Sequence, residues 1–63
     1  MADPDADKKL ETMIGRAAAV NTGQKIIRGR LMTVAPEHVV LREIDGRAMF
    51  IIRMQKIVWV RFD

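Results

Sequence analysis

Residues 50–60, FIIRMQKIVWV, constrain this chain more than any other stretch, because apolar residues crowd both faces and one Arg-Met-Gln-Lys step divides them. Phe50, Ile51 and Ile52 form one run rich in β-branched side chains, and Ile57, Val58, Trp59 and Val60 form another. Such runs suit a pleated strand. A strand that is apolar on both faces needs cover on both, and a chain of 63 residues has little mass to provide it. Domains near this size bury only about 60% of the surface that their unfolded chains expose. The chain has no Cys, so neither a disulfide nor a thiolate metal site can brace it. Oligomerisation is the remaining common brace, which makes a second copy of the chain the expected partner.

Charge is unevenly spread. Asp3, Asp5, Asp7 and Glu11 lie in the first eleven residues, whereas from Thr12 onward nine basic residues stand against four acidic ones, a body close to +5. A basic body suits polyanions. No apolar run approaches the roughly 20 residues of a membrane span. The N-terminal MADPDAD has no hydrophobic signal core, so a cytoplasmic protein without membrane contact is expected.

Taken in order, residues 1–6 read as a flexible acidic tail, and residues 7–63 as a single domain. Asp5 or Asp7 can cap a short helix running to about Ile14, with Leu10, Met13 and Ile14 on one face, and Gly15 stops it. Helices this short persist only by packing on a body. Residues 16–22 read as a first strand, the turn at residues 21–24 follows, and residues 25–34 read as a longer second strand. Gly29, in the middle of that strand, marks a bend or a close backbone approach. Ala35, Pro36 and Glu37 turn the chain into a third strand at residues 38–43. Asp45-Gly46 signals a tight hairpin leading to a fourth strand at residues 47–53, and a fifth follows at residues 57–62. The expected fold is all-β: a five-stranded, strongly bent small barrel with a short N-terminal helix.

Two resemblances then come into view. Ile27-Arg28-Gly29-Arg30-Leu31, with Leu41 at the matching distance, resembles the first Sm motif. Residues 52–60, IRMQKIVWV, are similar to the Ile-Arg-Gly-Asn-Asn-Ile-x-Tyr-Ile pattern that closes Sm and Sm-like proteins. The chain also resembles a family of short uncharacterised proteins from spore-forming Gram-positive bacteria. Gly29, Leu31, Pro36, Glu37, His38 with Val39, Val40 and Leu41, Phe50, Ile52, Arg53, Ile57, Val58 and Trp59 carry that likeness.

The Sm resemblance implies a bent, SH3-like barrel that closes into a homo-oligomeric ring, the fourth strand of one subunit pairing with the fifth of the next. It places Phe50, Ile52, Val58, Trp59, Val60 and Phe62 at the subunit interface and single-stranded RNA at the pore. Arg53, in the position of the motif's arginine, is the expected RNA contact, joined by Gln55, Lys56 and His38. The chain departs from the pattern in three places: Ala35 stands where the first motif has Asp, Val39 where it has Asn, and Met54 where the second has Gly. An assembly protein whose barrel serves only to oligomerise, linked to sporulation through the second likeness, is the alternative. A monomeric SH3-like protein-binding module would leave the edges of the terminal strands open.

The remaining residues suggest no chemistry. His38 is the single histidine, without a cluster of carboxylates or thiolates, so no metal, cofactor or catalytic constellation is expected. Arg28 and Arg30 alternate with Ile27, Gly29 and Leu31, which projects both from one face of a strand, where Lys25 and Arg42 can extend an outer basic patch.

Overall fold

The computed structural model describes residues 6–63. The acidic tail up to Asp5, and with it the capping role expected of Asp5, lies outside that description, whereas Asp7 falls within the helix and so does not cap it. The elements in chain order are α1 (Ala6–Glu11), β1 (Ala17–Asn21), β2 (Ile26–Val34), β3 (His38–Arg42), β4 (Met49–Arg53), a single 3-10 turn (Met54–Lys56) and β5 (Trp59–Phe62). All pairings are antiparallel, and the strand order is β4-β3-β2-β1-β5.

β2 organises the sheet. Its residues 26–30 pair with β1 and its residues 30–34 pair with β3, so Arg30 alone has partners on both sides. The bend falls at this handover. The inner face of Gly29 is so close to β3 that a Cβ there would stand 2.6 Å from the main-chain oxygen of Arg42, a space that only glycine leaves open. Beyond it the β2–β3 register slips between Leu31 and Thr33, leaving Met32 as the extra residue of a bulge. Bulges add local twist.

The connection after β4 shows how far the sheet must curl. A flat sheet would put its two outer strands, four spacings of about 4.8 Å apart, roughly 19 Å from each other. From Arg53 to Trp59 the chain has six steps, half of them in the 3-10 turn. At about 2 Å per residue in such a turn and about 3.4 Å in extended chain, those steps reach only ~16 Å. The sheet therefore rolls its ends toward one another.

It does not close. β4 pairs only with β3, and β5 only with β1, so both remain edges and the barrel expected from the sequence is an open, curled sheet. The residues between them spend their length on the turn, which leaves the two strands no shared register.

The inner face carries Ala18, Val20, Leu31, Val39, Leu41 and Ile52 as a buried cluster. Phe50, Val60 and Phe62 pack on it from the edges, and Leu10 and Met13 from the helical end. Ile14, expected on the same stripe, is instead 47% exposed. Met13 and Ile14 donate to the carbonyls of Leu10 and Glu11, three residues back, and this tighter winding rotates Ile14 off the face that Leu10 defines.

The turns follow local chemistry with one revision. Asn21 Oδ1 accepts the Gly23 N–H at 2.6 Å, and Gly23 takes a φ of 87°. The Ala35 N–H donates to His38 O across the proline turn at 2.8 Å. Asp45-Gly46 does not make a two-residue hairpin. The type I′ turn that Asp-Gly favours needs positive φ at both central residues, yet Asp45 has it (61°) and Gly46 does not. The Glu43 N–H donates to Ala48 O, closing a wider loop, and β4 starts at Met49 rather than at residue 47.

Candidate nucleic-acid interface

Register brings the expected RNA contacts together. His38 opens β3 and Arg53 closes β4, and the two are direct cross-strand partners. Side chains opposite each other in an antiparallel pair lie on one face, with Cβ atoms about 5 Å apart. The Met54 N–H donates to Glu37 O at 2.8 Å, which ties the 3-10 turn to the β2–β3 turn and carries Gln55 to the same place. An open groove results, lined among others by Glu37, His38, Ile51, Arg53, Met54 and Gln55.

Three of the four expected contacts, Arg53, Gln55 and His38, thus line one groove. Lys56 is exposed on the turn but does not line it. Glu37 does, and its carboxylate tempers the positive charge. Met54, standing where the Sm pattern has glycine, is accommodated because it opens a 3-10 turn instead of taking positive φ; Asp45 is the one described non-glycine residue with positive φ.

The expected interface residues divide. Ile52 is 5% exposed and belongs to the chain's own core, so it can serve a neighbouring subunit only through its backbone. Phe50, Val60 and Phe62 are half-buried against that core. Val58 (65% exposed) and Trp59 (40%) stand free. Met49 and Ile51, which were not expected at an interface, are 54% and 72% exposed on the outer side of β4. Their signal was present in the alternation: once Phe50 and Ile52 face inward, Met49 and Ile51 must face out.

Among the described residues there is no group of three or more His, Asp or Glu able to hold a metal. Nor is any helix long and apolar enough to cross a membrane.

These features define a small mixed-charge groove at one end of an open, curled five-stranded antiparallel sheet capped by a short helix. The family model described as "Domain of unknown function (DUF2642)" matches residues 1–61, and the chain belongs to that family. Comparison with curated proteins gave no match, and comparison with solved structures gave none either.

Proposed function

We propose that this is a non-enzymatic, Sm-like cytoplasmic protein whose subunits join β4 of one to β5 of the next in a homo-oligomeric ring, and that the ring binds single-stranded RNA at the His38–Arg53 groove. The observation that carries the reading is the strand order, which leaves β4 and β5 as the two edges of one curled sheet. Unpaired edges with exposed apolar side chains are templates for further pairing. Here the exposed Met49 and Ile51 stand on one edge strand, with Trp59 on the other and Val58 just before it. Two different edges pair head to tail, and such contacts form a ring when the rotation closes.

A ring repeats the groove around its axis, so a weak contact gains by multiplicity. Arg53 supplies a planar guanidinium for phosphate or a base face, and Gln55 and His38 supply hydrogen-bonding groups. Glu37 in the same groove opposes phosphate and supports weak or atypical binding. The presence of that acid beside the exposed Ile51 also favours the second reading, an assembly protein that oligomerises without binding RNA.

Light scattering on the purified protein, followed by titration with short U-rich and A-rich single strands at low and moderate salt, tests both parts. A ring whose binding weakens with salt and loses part of its affinity in Arg53→Ala supports the proposal. A ring that binds neither strand leaves the assembly reading, and a monomer removes both.

A further inference from the structure

The outer face of the sheet carries a second arrangement, which does not rest on the groove. Ala19 pairs with Arg28 on β2 and with Arg61 on β5, so these two arginines flank it on one face. Ala19 is itself only 4% exposed, although it points away from the core. Two residues along β2, Arg30 lies on the same face and pairs directly with Arg42 of β3. Like charges placed directly opposite destabilise a sheet. All four arginines are exposed. Arg30 donates from Nη1 to Gly15 O, which anchors it without neutralising it.

The next row on this face carries apolar side chains at both ends. Asn21 pairs with Trp59 on one side and Ile26 on the other, and these are 40% and 49% exposed. Trp59 therefore stands two residues from Arg61, and Ile26 two from Arg28, on the same side of the sheet. Among the described residues, Glu43 and Asp45 of the β3–β4 loop adjoin Arg30 and Arg42, and Asp63 stands two residues past Arg61, its N–H donating to Ala17 O. They lie at the opposite end from Trp59, so charge is least compensated where the aromatic is.

We propose that this face, with Trp59 and Ile26 as an apolar platform beside Arg61, Arg28 and Arg30, is a binding surface for single-stranded nucleic acid, separate from the groove. Rows two residues apart on a strand are about 6.8 Å apart, and residues two strands apart about 10 Å. Guanidinium groups at these intervals can follow a sugar–phosphate chain while a base lies on the indole, the combination that holds single strands without reading their sequence. An acidic lipid surface or an acidic protein would also use arginines beside an exposed indole; the regular spacing of the guanidinium groups along and across the strands favours a phosphate chain, and competition with vesicles tests the lipid. Adding a neighbour's β4 along the edge of β5 extends the sheet sideways and leaves this face outward, so ring formation and binding here are compatible.

Trp59 is the only tryptophan, which makes its emission a direct report from this face. Titration with an oligouridylate should quench it, and the quench should weaken as salt rises. The double variant Arg28→Ala/Arg61→Ala should lose about tenfold in affinity and flatten the log–log salt dependence by about 1.4, since each phosphate contact on a single strand contributes about 0.7. Trp59→Leu, read by anisotropy of a labelled strand, should also lose about tenfold. Arg53→Ala should leave the quench intact. Thermal melts should show all variants folded, because none of these side chains is buried. The inference is overturned if no quench occurs, if the double variant binds like the wild type, or if binding vanishes in Arg53→Ala alone, which would assign it to the groove. It is equally overturned if duplex RNA, or vesicles of phosphatidylglycerol, compete as well as the single strand.

Discussion

Replacing Gly29 with Ala tests the curl of the sheet at its tightest point. The new methyl would stand 2.6 Å from Arg42 O, 3.2 Å from the Arg42 carbonyl carbon and 3.2 Å from Leu41 Cβ. Two of these neighbours are main chain of the adjacent strand, and Leu41 is fully buried, so none can swing aside as an exposed side chain would. Overpacking of this kind costs about 1–3 kcal/mol. Against it, alanine restricts the unfolded chain and returns about 0.4–1 kcal/mol. The net loss expected is about 1–2 kcal/mol. In a domain this small each kcal/mol moves the melting temperature by about 4–8 °C, so the variant should melt about 5–15 °C lower. Circular dichroism at several protein concentrations is the assay, since association would itself raise the midpoint. An unchanged or higher melting temperature would mean that β3 does not cross so near β2, and the account of how the sheet bends would fail.

Gly15→Ala offers a contrast, because its Cβ would meet nothing within 4 Å while φ is +96°; the loss should come from backbone strain alone, about 1–2 kcal/mol, and show as a lower urea midpoint. Leu41→Ala removes a side chain with 0% exposure. That cost of about 2–5 kcal/mol stands against a total stability of about 3–9 kcal/mol for this length, so urea unfolding followed by Trp59 emission should lose at least about a fifth of its midpoint. Ile51→Lys, at a residue 72% exposed on the β4 edge, should leave the fold intact but lower the mass measured by light scattering toward the monomer; an unchanged mass would exclude pairing through that edge.

Much of the local structure was legible in the chain itself. Alternating apolar residues, the Asn21–Gly23 turn, Pro36 and the short Leu10/Met13 stripe announce a small helix and five strands, because those signals act between residues near in sequence. Gly29 announced a close backbone approach without saying to what. At Asp45-Gly46 the dipeptide favours a tight turn, whereas the structure makes a wider loop closed by Glu43 N–H to Ala48 O, set by where β3 and β4 meet.

The candidate site depended on pairing, which no local pattern specifies. Residues 50–52 are apolar without a break, and only the β3–β4 register decides that Ile52 enters the core while Ile51 faces solvent. The same register sets His38 opposite Arg53, fifteen residues apart, and the pairing of β5 with β1 sets Arg61 across Ala19 from Arg28. Residues close in the chain were enough to set the strands and the turns at Asn21–Gly23 and Pro36, since each follows from local conformational preferences, and the basic charge is a matter of composition. Tertiary structure alone decided that β4 and β5 stay apart as free edges and that the arginines of four strands divide between a groove and an outer face, because a one-residue shift in any ladder would have turned every side chain of that strand to the other side.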